Sequence, residues 1–309
     1  MEGLYCTFDE DYENNPHWPF TSNYENKLLA LDLYALCIQS AKENLKKFTE
    51  FIDFINAFLL PILQGHLKKI DDYKFGIRII RLLNFMVQYL QIGLHQLMEF
   101  MSNSLDAKPW IKRVVFELFN NLFTNPTTVS QIMAEKELLG HLEVCLISIQ
   151  NFLESNKFEL ENKDKVEGIR GIGKFLDQRM LEGDKPKMKI NEIMLLSIES
   201  VTGLVEGISN ILFPNGLDTS DNLSSQSLEI EEKHFTIPFS VSKLILRILT
   251  ILLIKSGRDV SIQSLLNAMQ VYINITGMKK MNKERDSFIR ELCLHCASSS
   301  DINDKEILA

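Results

Sequence analysis

The sequence predicts an all-α protein, and three observations carry that expectation. Apolar residues return every three or four positions along most of the 309-residue chain. Glycine and proline number only 14 and 8, too few to punctuate a β-rich fold. Alternating runs bounded by turn clusters, the mark of strands, are rare. Hydrophobic residues make up 45% of the chain, which suffices for a large buried core.

The elements follow in chain order. Residues 1–24 are polar and aromatic, with Pro16 and Pro19, and read as an irregular segment. A first helix is predicted from Glu25 to Ser40, with Leu28, Leu29, Ala35 and Cys37 among its apolar positions. A second apolar segment, Phe48 to Leu63, is expected to bend or end near Pro61, which lacks a backbone donor. A long third helix is predicted from Phe75 to Met101. Ile79, Leu83, Met86, Leu90, Leu94, Leu97 and Met101 form its stripe, and Ile80 and Val87 widen it, as in a helix packed between neighbours.

Asp106-Ala107-Lys108-Pro109-Trp110 opens a further helix, with proline in a first turn where no donor is needed. Ile111, Val114, Val115, Leu118 and Leu122 share one face, and Asn125-Pro126 is expected to stop it. The next helix carries Leu142, Cys145, Leu146, Ile149 and Leu153, completing a helical array over 25–153. Residues 154–190 are charged and contain five of the interruptions (Gly168, Gly171, Gly173, Gly183 and Pro186). They read as a linker with a short element around Lys174 to Met180.

A second helical array is expected over 191–297. Its first helix runs from Asn191 to Leu212, with Met194, Ile198, Val201, Val205, Ile208 and Leu212 on one stripe. Phe213-Pro214-Asn215-Gly216 breaks it, and the Ser/Asp/Glu-rich loop over 214–238 is expected to be disordered. Three helices follow, at Phe239–Lys255, Ser261–Thr276 and Lys283–Cys296, before a polar tail over 298–309. Helix pairs recur on a scale of roughly 40 residues, that of armadillo and HEAT units, so the expected architecture is an α-α superhelix, one continuous solenoid. A compact bundle is the alternative, because no repeat is exact.

Charge and cysteine usage narrow the function. The net charge of -8 and the lack of a Lys/Arg stripe argue against general nucleic-acid binding and against unaided docking on anionic lipid. Cys6, Cys37, Cys145, Cys293 and Cys296 are odd in number and scattered, so no disulfide framework is expected. Met1-Glu2-Gly3 leads into Asp9-Glu10-Asp11 rather than the basic-then-apolar start of a secretory signal. The apolar run Leu244–Ile254 is interrupted by Arg247 and is shorter than the ~20 residues a bilayer needs. A cytoplasmic chain, held on membranes by partners, is the expectation.

No catalytic, cofactor or metal site is expected. Cys293-Leu294-His295-Cys296 has metal-like spacing but lacks a second cysteine pair. On a helix, Cys293 and Cys296 share a face with Ile289 and Leu292, which predicts core packing. Gly168-Ile169-Arg170-Gly171-Ile172-Gly173 departs from the dinucleotide order and follows no strand. His17, His66, His95, His141 and His234 lie in unrelated segments. His95 with Glu99, and His141 near Glu143, do not make the metalloprotease motif. There is no nucleophile elbow. The sequons at Asn222 and Asn274 should stay unmodified without a signal peptide. Met and Phe, at 11 and 19, read mostly as core.

Four segments in order carry a family resemblance. They are Asn15-Pro16-His17-Trp18 with the leucine-rich helix after it; Leu105-Asp106-Ala107-Lys108-Pro109-Trp110-Ile111-Lys112-Arg113 through Glu117-Leu118 to Asn125-Pro126; Ser200-Val201-Thr202-Gly203-Leu204-Val205-Glu206-Gly207-Ile208; and Arg285-Asp286-Ser287-Phe288-Ile289-Arg290-Glu291-Leu292-Cys293. Together they resemble the Mon-two family, large Golgi and endosome trafficking proteins related to the big Arf guanine-nucleotide exchange factors. The match falls on the region upstream of the exchangers' catalytic Sec-seven domain (the HUS region). The exchangers' Asn-(Tyr/Phe)-Asp-Cys box is absent. The family's N-terminal dimerisation region and C-terminal helical part are not in this sequence, so a fragment or a truncated homologue is expected. The resemblance implies a non-catalytic scaffold in vesicle-mediated protein transport between endosomes and the trans-Golgi. It implies Dopey-type proteins and Arf-like GTPases as partners, and peripheral association with Golgi and endosome membranes. The alternative is the regulatory upstream region of an active Arf exchanger. A generic armadillo-like adaptor would need more regular repeats.

Overall fold

The computed structural model describes residues 24–68, 70, 72–104, 108–156, 190–212, 237–255 and 260–307, without the side chains of 190–191, 260–262 and 295–307. These residues form eleven helices, and no strand occurs among them. The chain divides into two compact units, and the division falls inside one helix, after Leu118.

The first unit starts with α1 (Tyr24–Ala41), which turns into a 3-10 segment, Lys42–Lys47. Helix α2 comprises Thr49–Phe54, a π turn Ile55–Leu59 and Leu60–Leu67. Helix α3 comprises Tyr73–Phe85 and a π turn Met86–Leu90, followed by α4 (Leu94–Asn103) and α5 (Pro109–Phe123). Helix α3 is central. It packs against α1, α2 and α4, and its residues from Gly76 to Phe85 are all buried. Its N-terminus is fixed by Asp72, whose carboxylate accepts the Phe75 amide at 2.8 Å and the Tyr24 hydroxyl at 2.5 Å. Arg78 then reaches Asp32 on α1 at 3.0 Å.

Of the two outcomes expected near Pro61, a bend or an end, the helix does not end there, and it continues to Leu67 after an irregular turn. A proline inside an α-helix collides with the carbonyl four residues back, and the π turn just before Leu60 widens the backbone at that place. One expectation about this unit needs correction: the single helix predicted from Phe75 to Met101 is two helices. Gln91 adopts φ 62° and Gly93 φ 85°, and left-handed residues cannot continue a right-handed helix. A side chain at Gly93 would also meet Leu60 and Leu83 at 3.2 and 3.3 Å. The apolar period nevertheless runs through the break, and every residue of the predicted stripe is buried.

The second unit holds α6 (Pro126–Ala134), α7 (Lys136–Ser155), α8 (Ile190–Leu212), α9 (Phe239–Lys255), α10 (Val260–Met278) and α11 (Asn282–Ile307). Asn125-Pro126 stops α5 as expected, and it also starts α6. The Asn125 side chain caps it by accepting the amides of Thr127 and Thr128 at 3.0 and 3.3 Å. Helix α11 carries on past Ser298, through the segment read as a polar tail, to Ile307. Nearly all of the linker over 154–190 and of the loop over 214–238 lies outside the described residues.

Contacts in the second unit follow a regular scheme. Helices α7, α9 and α11 lie beside one another in one row, and α6, α8 and α10 in another, while α6·α7, α8·α9, α9·α10 and α10·α11 join the rows. Helices α7 and α9 run parallel. Ser240 bonds Glu143, Arg247 bonds Glu154 at 3.0 Å, and Lys255 donates to the carbonyls of Leu153 and Asn156. Helix α8 is apolar enough over Glu192–Leu212 to pass for a membrane span, but 61% of its most apolar 18-residue window is buried within the protein. Its small residues permit close packing. A side chain at Gly207 would lie 3.0 Å from the Phe123 carbonyl oxygen, and one at Gly203 would lie 2.6 Å from the Thr124 methyl.

Candidate functional site

The cysteine–histidine cluster is not a buried one. Cys293 is exposed, Ile289 is largely so, and the core contact of α11 is Phe288, whose ring lies 4.8 Å from that of Tyr272. The expected packing of Cys293 in the core is therefore wrong. The helix is anchored through the Phe288 face, and Cys293, five residues on, points elsewhere. The side chains of His295 and Cys296 lie outside the described residues, as do the glycine-rich run 168–173, the sequon at Asn222 and Cys6.

The other sequence candidates disperse. His66 packs edge-on against Phe75 at 5.1 Å. Glu99, one turn from His95, accepts the Gln64 amide at 3.2 Å. Asn274 sits within α10, and the hydroxyl of Thr276 in the same sequon is buried and bonded back to the Tyr272 carbonyl at 2.9 Å. Among the described residues, no group of three or more His, Cys, Asp or Glu could hold a metal ion.

Buried polar groups serve the packing. Arg113 and Glu117, one turn apart on α5, are both buried and approach to 3.1 Å. Tyr272 shares a 2.7 Å hydrogen bond with Ser242 across α9 and α10, and burial pushes its hydroxyl pKa up. Burial likewise raises the pKa of the Cys145 thiol far above the ordinary range, so this cysteine is a core atom rather than a nucleophile. Trp110 at the start of α5 is buried, with its ring 5.2 Å from Tyr73.

Two surfaces of the first unit remain. On α1, Leu29, Leu33 and Leu36 are exposed, spaced by four and three residues in one outward row. Leu28, Leu29, Ala35 and Cys37 are the apolar positions of this helix named from the sequence. Only Leu28 and Ala35 are buried, because the α3-facing side takes just half of an apolar helix. The second surface is a cleft of about 320 Å³ between the last turns of α2 and α4. Its floor is Leu67, Phe100 and Ile111, all buried. Its sides include the bonded Gln64 and Glu99, then Gln96, Asn103 and Ser104. Sequence motifs do not mark these residues. The available clue is that Gln96, Glu99 and Asn103 are spaced by three and four, a polar stripe on a helix whose other face is core.

Comparison of the chain with family models, with curated proteins and with solved structures gives no match.

Proposed function

We propose that this chain is a non-catalytic scaffold, an α-α superhelix of the armadillo/HEAT kind. In this reading it acts through protein partners in vesicle-mediated transport between endosomes and the trans-Golgi. The observation that carries the architecture is the two-row scheme of the second unit, in which each helix lies beside the next but one in its own row and the rows are joined at α6·α7, α8·α9, α9·α10 and α10·α11. Stacked helix pairs produce that scheme, since each pair buries its faces against its neighbours on both sides. The cellular role rests on the sequence resemblance to the Mon-two family, with Dopey-type proteins and Arf-like GTPases as partners.

The residues behind the resemblance are those on which the packing depends. Pro109 opens α5, Trp110 fills the space beside Tyr73, Asn125 caps α6, Gly203 and Gly207 allow close approach, and Phe288 anchors α11. Such a set fits a protein whose function lies in its shape. The test is affinity capture from a matching lysate with the folded chain as bait, read by mass spectrometry. Recovery of a Dopey-type protein or an Arf-like GTPase supports the reading. Robust nucleotide exchange on an Arf GTPase by this chain alone sinks it.

A further inference from the structure

We propose that the chain self-associates through α1, as a weak antiparallel dimer in which the exposed leucine row of one copy packs against that of a second copy. The row comprises Leu29, Leu33 and Leu36, which leave 56%, 42% and 59% of their surface in water. Asn26 and Ser40 continue it at either end, so its positions step by three and four throughout. At about 100° per residue, the five side chains lie within an arc of about 80°. A face that docks on a mixed core spreads over about 100° or more, whereas a strict three-four seam has the width that one further helix covers. The other sides of α1 are already taken. Asp32 bonds Arg78 of α3 at 3.0 Å, and Tyr34 stacks on Phe54 of α2.

The seam is its own complement, as a two-fold interface requires. Turned end for end about Leu33, it sets Leu33 against Leu33 of the second copy and Asn26 level with Ser40, with Leu29 within one residue of Leu36. Charge selects this direction. Exposed Glu25 begins α1, and exposed Lys42 follows its end. The antiparallel pair brings Glu25 of each copy within one residue of Lys42 of the other. A parallel pair stacks Glu25 on Glu25 and Lys42 on Lys42, and like charges set side by side are costly. A bilayer suits the face less well, because it takes a broad apolar surface with basic flanks, whereas this seam is narrow and headed by an acidic residue. From Asn26 to Ser40 the seam spans only about 21 Å of helix. The contact therefore belongs to the small interfaces, under about 1,200 Å² in total, and the dimer is weak and concentration-dependent.

Sedimentation equilibrium of the full chain in reducing buffer, from about 5 to about 500 μM, brackets an interface of this size. The expected result is a weight-average mass that rises from one chain towards two. Leu33→Asp puts a carboxylate from each copy at the centre of the seam and should weaken the dimer by ~100-fold or more. Leu33 is exposed in the single chain, so the variant should keep its fold, which circular dichroism checks. Disulfide trapping reads the orientation, in a chain carrying Cys6→Ser, Cys37→Ser, Cys293→Ser and Cys296→Ser. Leu33→Cys, at the two-fold axis, should bridge the copies on mild oxidation. Leu29→Cys should not, because the two cysteines lie eight residues apart along the axis, about 12 Å and beyond disulfide reach. A mass that stays at one chain to the highest concentration overturns the proposal and leaves the row to a different partner, or to a lipid surface where the chain then sediments with phosphatidylserine vesicles. A dimer that survives Leu33→Asp overturns it too, as does one that Leu29→Cys traps as readily as Leu33→Cys.

Discussion

Glu117 lies wholly inside the protein with the Arg113 guanidinium 3.1 Å away, and both side chains have almost no exposure. Truncating one partner leaves the other as a charge in a low-dielectric interior, which costs about 3–5 kcal/mol. Domain stabilities run to about 5–15 kcal/mol, so Glu117→Ala should remove a large share of the total. Arg113→Met should do comparable damage. Replacing both together, as Arg113→Met/Glu117→Leu, removes both charges and fills the space with apolar atoms. Buried pairs treated this way end near neutral, or more stable by about 1–4 kcal/mol. Urea unfolding followed by helical circular dichroism measures all four chains, and the double-mutant cycle isolates the coupling. The reasoning fails if the double variant loses the sum of the two single losses, because the charges would then not be compensating one another.

Gly140→Ala, where nothing lies within 4 Å of the new methyl, should stabilise α7 by about 0.8–1 kcal/mol; Gly207→Ala carries the same helix gain but presses on the Phe123 carbonyl, and should fall ~1–3 kcal/mol below it in urea midpoints. Maleimide labelling of the folded chain should modify exposed Cys37 and Cys293 and spare Cys145 until denaturant is added, as read by mass spectrometry. Glu154 has a pKa held below the ordinary carboxylate value, first by the Gln150 amide and then by Arg247. A depressed folded value stabilises above the unfolded pKa, and that contribution is lost as pH falls through the folded one. The stability difference between wild type and Arg247→Met should therefore be present at neutral pH and shrink in acid, as a series of urea midpoints will register.

The helices were legible wherever apolar period and punctuation agreed. The stripes of α5 and α7, from Ile111 to Leu122 and from Leu142 to Leu153, are buried throughout. The break between α3 and α4 was hidden because Leu90 and Leu94 keep helical spacing across it, and Gln91 carries no sequence mark of a left-handed backbone. Asn125-Pro126 serves as stop and start at once, so reading only the stop lost α6. Cys293 misled because periodicity ranks faces by composition, whereas among the described side chains of α11 it is Phe288 that is buried, against Tyr272. The cleft was illegible for a related reason. Gln96, Asn103 and Ser104 look like a solvated face until a neighbouring helix end turns that face into a wall.

Phe51, Ile55, Leu59, Leu63 and Leu67 are all buried along α2, each four residues after the last. In an uninterrupted α-helix each residue turns by about 100°, so the sixteen steps from Phe51 to Leu67 would leave the two side chains about 160° apart. The Ile55–Leu59 turn holds one residue more than a regular turn, which brings that angle down to about 60°. Helix α2 is thus a length-adjusted part, and a chain shorter by one exposed residue here, Asn56 or Ala57, could close into ordinary helix with its faces kept on both sides. This π turn makes α2 tolerant of a one-residue length change at this place, one that would rotate the faces of a regular helix by about 100°.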